Sequence, residues 1–157
     1  MRILRAAAIF SALLLIAPAA AQSPGFSLDG KVKQPRQFTV ADLKKLPAEH
    51  ADVSFQTERG ITKSNYTGVL LWSLVEAAGG IDDDAKGAAL RHAIRITAKD
   101  GYVVLTSTGE IAPDFGAKPA LVAYERDGKP LDDIRIVMPG DKHGGRNARD
   151  VVSIKIE

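Results

Sequence analysis

Two Asp–Gly pairs set among apolar residues constrain the fold of this sequence more than any other local feature. Asp100-Gly101 separates two apolar runs, and Asp127-Gly128 interrupts a third. Asp–Gly is a preferred pair at the tip of a tight β-hairpin, because the central residues of such turns need a positive φ. The sequence therefore predicts antiparallel hairpins in the second half of the chain.

The remaining segments predict further strands and two helices in one α+β domain. A small helix over residues 40–46 is predicted with Thr39 as its cap and Pro47 as its end. A Gly60 turn and a polar segment precede a buried helix over residues 69–80, which ends at a glycine pair. The polar segment spans residues 64–68. Residues 81–87 are predicted as a loop. No regular element is predicted over residues 110–116, because a proline interrupts them. Strands are predicted over residues 26–32, 37–40, 52–57, 91–98, 102–108, 120–131, 135–139 and 151–157.

The first 21 residues have the pattern of a secretory signal peptide. Two arginines precede an apolar run over residues 6–17, and Ala19 and Ala21 occupy the positions of an A-x-A cleavage site. The run is shorter than the ~20 residues that a membrane-spanning helix needs. We expect cleavage after Ala21, a single domain over residues 22–157, and a periplasmic or secreted protein.

Composition excludes several classes of function. The chain has 21 Lys and Arg against 19 Asp and Glu, and two of the arginines belong to the signal peptide, so the charges of the remainder balance. Balanced charge does not favour a nucleic-acid-binding surface. The chain contains no cysteine, which excludes disulfides, thiol catalysis and thiolate metal ligands. The three histidines lack the spacing of a metal site, so no metal site is predicted.

Residues 137–150, VMPGDKHGGRNARD, are an unusual connection between the last two predicted strands. Glycines let backbone N–H groups approach a planar or anionic ligand closely. Arginine can bind phosphate or carbonyl oxygens with its planar fork, or stack on a ring. His143 and Asn147 offer donors and acceptors to a heterocycle. This segment, called the glycine loop below, is predicted either to bind a ligand or to be an ordinary solvated hairpin.

Six segments occur in an order that resembles a known family. They are residues 28–47, 54–60, 65–80, 96–107, 121–131 and 134–156. Their order and spacing resemble the molybdopterin-binding domain of the sulfite oxidase superfamily, and the resemblance covers nearly the whole chain after the signal peptide. It implies a compact α+β domain with a mixed, barrel-like sheet, few short helices, and a loop before the last strand that cradles a pterin and its phosphate tail.

The resemblance also implies which residues bind the ligand. In enzymes of the family the loop reads proline, lysine, aromatic, glycine and then lysines. Here Pro139, Lys142, His143, Gly144, Arg146 and Arg149 stand at the matching positions, with one extra residue in the Gly140-Asp141 step. We expect Arg146, aided by Lys142 and His143, to hold a reduced pterin. The full predicted set is Thr57, Asp141, Lys142, His143, Gly144, Gly145, Arg146, Asn147 and Arg149.

One departure from the family bears on catalysis. Catalytic members hold molybdenum through a cysteine just after the strand that here reads VSFQTERG, so Gln56 or Thr57 stands where that thiolate would be. Amide and hydroxyl oxygens are poor replacements for a soft, anionic sulfur ligand. The chain therefore looks more like the small periplasmic pterin-binding members of the superfamily.

Aromatic and acidic residues add further candidates. Trp72 is interpreted as core, with a wall of the ligand pocket as the alternative. Tyr66 and Tyr102 lie where the resemblance places that wall, and both also suit packing beside a turn. The amino-pyrimidinone edge of a pterin favours a carboxylate partner. The sequence leaves three carboxylates open for that role, namely Glu58, Asp114 and Asp141.

Three functions remain open at this point. The first is a non-catalytic periplasmic sensor that binds a reduced pterin; the resemblance implies that it reports to a membrane-bound enzyme of cyclic di-GMP metabolism and so affects biofilm formation. The second is an oxidoreductase that uses molybdopterin with an atypical, non-cysteine metal site. The third is an exported interaction module whose pocket is vestigial.

Overall fold

The chain folds mainly as β-strands, because short runs of alternating buried and exposed side chains dominate its sequence. The computed structural model describes residues 24–157, so the predicted signal peptide, residues 1–21, lies outside the described residues. The strands are β1 (Gly25–Gly30), β2 (Arg36–Thr39), β3 (Glu49–Thr57), β4 (Gly60–Leu70), β5 (Ala93–Ala98), β6 (Val103–Ser107), β7 (Leu121–Arg126), β8 (Lys129–Val137) and β9 (Val151–Ile156). The helices are α1 (Val40–Leu43), α2 (Leu71–Ala77) and α3 (Thr108–Ile111), and 3-10 turns occupy Ala88–Leu90 and Gly144–Arg146.

The strands form two sheets. One has five strands in the order β2-β1-β9-β5-β6, and the other has four in the order β3-β4-β7-β8. β1 and β9 are parallel, whereas the other pairs are antiparallel. The predicted α+β class, with a mixed sheet and few short helices, is confirmed. None of the described helices is long and apolar enough to span a membrane.

The main core is built from both sheets and α2. Leu28, Ile96 and Ile154 of the five-stranded sheet are fully buried, as are Ile136 of β8 and Leu74 of α2. A smaller cluster contains residues that alternate along the four-stranded sheet with those of the main core, namely Val53, Tyr66, Leu121, Ala123 and Val137. Side chains alternate between the two faces of a strand, so this second cluster lies on the opposite face of the four-stranded sheet. The candidate site is built beside it.

Both predicted hairpins are present. β5 pairs antiparallel with β6, and β7 pairs antiparallel with β8. At the second turn Asp127 has φ 52° and Gly128 has φ 73°. Two successive positive φ values are the geometry that an Asp–Gly pair favours, so this turn follows from local chemistry alone.

The predicted boundary between the polar segment and the long helix is wrong. Residues 64–70 continue β4, and α2 begins only at Leu71. β4 is hydrogen-bonded to β3 on one side and to β7 on the other, and this tertiary pairing overrides the local polarity. At Gly68 a Cβ atom would come within 2.4 Å of the Val122 carbonyl oxygen, so the strand requires glycine beside its bulge.

Two short helices also differ from prediction. α1 ends at Leu43 and not at Leu46. In the turn that follows, just before Pro47, the N–H of Leu46 donates to the carbonyl oxygen of Leu43, which is the i to i+3 hydrogen bond of a 3-10 turn. Residues 108–111 form α3 where no regular element was expected over residues 110–116. The Ser107 hydroxyl accepts from the Glu110 N–H at 3.1 Å. Ser-x-x-Glu is a helix-start signal that could have located this turn.

Candidate functional site

The glycine loop is anchored to the end of β3. The backbone N–H of Gln56 donates to the Lys142 carbonyl oxygen at 2.8 Å, and Gln56 forms an isolated parallel bridge with His143. Gly140 has φ 86°, in the left-handed region that favours glycine. The loop therefore leaves β8, turns at Gly140 and runs briefly beside β3 before it returns to β9.

Phe55 of β3 explains the glycine at position 144. A Cβ atom there would come within 2.9 Å of two carbons of the Phe55 ring. A Cβ atom on Gly145 would meet nothing within 4 Å. The first glycine lets the loop pack on the ring, and the second leaves open space beside the backbone.

A cavity of about 560 Å³ lies between this loop and the outer face of the four-stranded sheet. Its volume is within the range of small-molecule sites, about 300 to 1,000 Å³. It is lined by Phe55, Gln56, Thr57, Glu58, Thr62, Tyr66, Arg126, Arg135, Ile136, Val137, His143, Gly144, Gly145, Asn147 and Arg149. Six of the predicted residues are brought together here, namely Thr57, His143, Gly144, Gly145, Asn147 and Arg149.

Positive charge dominates the wall of this cavity. Three arginines line it, Arg126, Arg135 and Arg149, and Glu58 is the one acidic side chain among the described lining residues. Arg135 donates to Asp133 at 2.8 Å. Burial lowers the pKa of Arg135, but the hydrogen bond and the charge of Asp133 outweigh it, so the pKa is raised and the guanidinium stays charged.

The other two arginines differ in their partners. Arg126 donates to the Ser64 hydroxyl at 2.9 Å, and its guanidinium lies 5.8 Å from the ring centre of Tyr66. Arg149 is exposed, and no carboxylate of residues 24–157 lies within ion-pair distance of it. Arg149 is therefore the arginine of the cavity that is most available to an anionic ligand.

Asn147 combines one fixed and one unsatisfied polar atom. Its Oδ1 accepts from the buried N–H of Met138 at 2.8 Å, which fixes the amide orientation. Its Nδ2 is buried and has no hydrogen-bond partner among the described residues. A buried donor without a partner costs about 1 to 3 kcal/mol. Buried polar groups are nearly always hydrogen-bonded, so this donor is an exception that a bound water or a ligand would satisfy.

A second cavity, of about 290 Å³, adjoins the first. Four residues line both, and they are Gly144, Gly145, Asn147 and Arg149. The Tyr102 hydroxyl donates to the Gly145 carbonyl oxygen at 2.6 Å from the side of the second cavity. The two glycines therefore form a thin backbone wall between the two cavities.

Three predicted residues do not line the first cavity, namely Asp141, Lys142 and Arg146. The Arg146 guanidinium is instead bound by two carboxylates. Its Nη2 lies 2.7 Å from an Asp141 oxygen, and its Nη1 lies 3.0 Å from a Glu110 oxygen. Lys142 is exposed and contributes its backbone carbonyl to the contact with β3. Direct binding of a ligand by Arg146 remains a prediction.

The residues of the wall fit the organic part of molybdopterin, but they do not provide protein ligands for its metal. Aromatic rings, arginines and close backbone fit a pterin and its phosphate tail. Protein ligands to the metal do not fit, because the chain has no cysteine and the Thr57 hydroxyl is occupied, donating to the Gly60 carbonyl oxygen at 2.8 Å. Among residues 24–157, no three His, Cys, Asp or Glu side chains cluster as a metal site.

The structure places the other predicted candidates in different parts of the molecule. Of the three carboxylates, Glu58 lines the first cavity, Asp114 is exposed elsewhere, and Asp141 pairs with Arg146. Tyr66 lines the first cavity and Tyr102 the second. Trp72 packs against the main core and donates to Glu76 at 2.9 Å, away from both cavities.

Further lining residues were not predicted from the sequence, among them Phe55, Thr62, Arg126 and Arg135. Arg126 lies directly opposite Tyr66 in the pairing of β4 with β7. An arginine within an apolar strand, as in the IRIV of β8, was the available signal for Arg135, because such a side chain needs a charged partner.

Comparison with known proteins identifies the family of the chain. The family described as oxidoreductase molybdopterin binding domain matches residues 17–157, so the chain belongs to that family. Among solved structures, it is similar to the sulfane dehydrogenase SoxCD from Paracoccus pantotrophus, with 18% identity and a TM-score of 0.68. That match covers 85% of this chain but only 38% of the other, and at this identity it shows the fold alone. Curated proteins include no significant match.

Proposed function

We propose that this protein is a non-catalytic, periplasmic pterin-binding protein that senses a reduced pterin. The observation that carries the proposal is the cavity beside Gly144 and Gly145, which combines aromatic walls, three arginines and the unpaired Nδ2 of Asn147. Such a site offers stacking, hydrogen bonding and charge to a planar heterocycle with an anionic or carbonyl-rich edge.

The non-catalytic part of the proposal rests on the donor set. Members of the family that hold molybdenum through the protein use a cysteine, whereas here Gln56 and Thr57 stand at that point of β3 and the chain has no cysteine. Hydroxyl and amide oxygens bind a soft-ligand metal poorly. We infer that the fold has kept its pterin cavity without a protein ligand for the metal.

The signalling part of the proposal rests on the resemblance to small periplasmic members of the superfamily. On this resemblance we propose that the receiver of the signal is the periplasmic domain of a membrane-bound enzyme that makes or degrades cyclic di-GMP, with an effect on biofilm formation. The expected export signal at residues 1–21 is compatible with such a partner.

A second candidate is an oxidoreductase that uses molybdopterin, with the metal held by the cofactor and not by a protein thiolate. Membership of the oxidoreductase molybdopterin binding domain family favours it. In that case the same cavity residues, Arg126, Arg135, Arg149 and Asn147, would hold the organic part of the cofactor, and molybdenum would supply oxygen-atom transfer chemistry.

One preparation separates these candidates from a vestigial pocket. The protein is purified from the periplasm, its molybdenum is counted by mass spectrometry, and the fluorescence of oxidised extracts is recorded. The sensor predicts pterin fluorescence with molybdenum far below one atom per chain. Stoichiometric molybdenum would support the oxidoreductase, and neither signal would support the interaction module.

Calorimetry with tetrahydrobiopterin then tests the cavity. Arg149→Ala should weaken binding by about ten- to a hundredfold, because a hydrogen bond to a charged group contributes about 1.5 to 3 kcal/mol. Arg91→Ala is the matched control, since Arg91 is exposed and lies outside both cavities. If the wild-type protein binds no tetrahydropterin, the sensor proposal fails.

A further inference from the structure

Arg146 is the arginine that the sequence singled out for ligand binding, yet its guanidinium is already paired with two carboxylates of the protein. Its Nε donates to one Asp141 oxygen at 2.8 Å and its Nη2 to the other at 2.7 Å. Its Nη1 donates to Glu110 at 3.0 Å. Bidentate pairing with a carboxylate fixes both the position and the plane of a guanidinium.

The two carboxylates are themselves held in place. Lys118 donates to Asp141 at 3.0 Å and to Glu110 at 3.2 Å, and the Thr106 hydroxyl donates to Glu110. Two cations and two anions thus form a closed cluster with no net charge. An incoming anion would therefore meet a guanidinium whose charge is already balanced by two carboxylates.

The cluster joins two positions of the glycine loop that flank its glycine pair. Asp141 and Arg146 bracket His143, Gly144 and Gly145, so their pairing closes the stretch that forms the wall between the two cavities. Glu110 belongs to α3, and Lys118 belongs to the segment before β7. The loop is thereby fixed to two elements that contribute nothing to the first cavity.

Resting on the function proposed above, we infer that Arg146 is a positioning residue: it holds the Gly144-Gly145 wall in its binding geometry through Asp141 and Glu110, and it does not contact the ligand. The cationic contacts to the ligand come from Arg126, Arg135 and Arg149, which line the cavity. A loop that is fixed before binding loses less conformational entropy when the ligand arrives.

Hydrogen exchange of the ligand-free protein measures positioning directly. In Arg146→Ala and in Asp141→Ala, the amides of residues 142–147 should exchange at least about tenfold faster than in the wild type, because the closing pair is lost. Arg149→Ala is the control and should leave these rates unchanged. Unchanged exchange in Arg146→Ala would overturn the inference, whether or not the protein binds a pterin.

A double-mutant cycle on the dissociation constant for tetrahydrobiopterin tests the route of the effect. Arg146→Ala and Asp141→Ala should each weaken binding by about tenfold, and the double variant should be no weaker than either single variant. A direct contact predicts the opposite, namely that Arg146→Ala weakens binding equally in the Asp141→Ala background. If the wild type binds no tetrahydrobiopterin, the proposed function fails, and the exchange rates alone decide the role of Arg146.

Discussion

Phe55 and Gly144 are in such close contact that the loop position has no room for a side chain. Gly144→Ala would place its Cβ within 2.9 Å of the Phe55 ring, so the loop must shift away from β3. We expect a loss of about 1 to 3 kcal/mol of unfolding free energy, as is typical of overpacking. Urea unfolding measures the loss, and weaker binding of tetrahydrobiopterin should accompany it.

Gly145→Ala is the matched control for that change, because its Cβ meets nothing within 4 Å and its φ is not positive. It should leave the unfolding free energy unchanged within a few tenths of a kcal/mol. Equal losses in the two variants would show that the ring contact is not what requires glycine at position 144.

Asn147→Ala tests the fixed amide. The substitution leaves the buried N–H of Met138 without its acceptor and should cost about 1 to 3 kcal/mol in unfolding free energy. Asn65→Ala is the comparison, since the Asn65 side-chain amide donates a hydrogen bond to Asp52 on an exposed part of the four-stranded sheet. A similar cost for both variants would mean that burial of the Met138 amide is not the cause.

The cluster around Arg146 predicts a dependence of stability on pH. Burial raises the pKa of Glu110, but hydrogen bonds from Thr106, Arg146 and Lys118 outweigh it and lower the pKa below the ordinary 4.5. The hydrogen bond from Arg146 lowers the pKa of Asp141, against burial. A lowered pKa in the folded state stabilises the fold above the ordinary value, and this stability is lost as the pH falls through the folded value.

Glu110→Gln removes one of these carboxylates at nearly constant shape. The wild type should be more stable than the variant at about pH 7, and the difference should shrink as the pH falls below about 4.5. Parallel urea unfolding of both proteins measures it. A difference that stays constant over this range would show that ionised Glu110 does not stabilise the fold.

Export gives a further prediction, on residues outside the described part of the chain. The small side chains of Ala19 and Ala21 should direct cleavage before Gln22. Mass spectrometry of periplasmic protein should find a chain that starts at Gln22 or close to it. A full-length cytoplasmic product would contradict both the cleavage and the proposed location.

Local chemistry made part of this structure predictable. The turn at Asp127-Gly128 and the cap at Thr39 depend on residues that are adjacent in sequence, and both are present. The full extent of β4 was not predictable in this way, because it depends on β3 and β7 pairing with it from different parts of the chain.

The candidate site shows the same division. The glycine loop was recognisable from its composition, and five of its predicted residues line the cavity. The surroundings of Arg146 were not, because Glu110, Lys118 and Asp141 are separate in sequence and meet only after folding. Composition can indicate that a loop is rich in arginine, but only tertiary structure decides which arginine is already neutralised.

The position of β9 has a consequence for synthesis of the protein on the ribosome. β9 lies in the middle of the five-stranded sheet, between β1 and β5, and it is the parallel partner of the first described strand. The four strands β3, β4, β7 and β8 can pair as soon as residues 49–137 have emerged, whereas β1 gains its parallel partner only with residues 151–156. Until then the five-stranded sheet has no central strand, and its two outer pairs, β1 with β2 and β5 with β6, are not joined to each other.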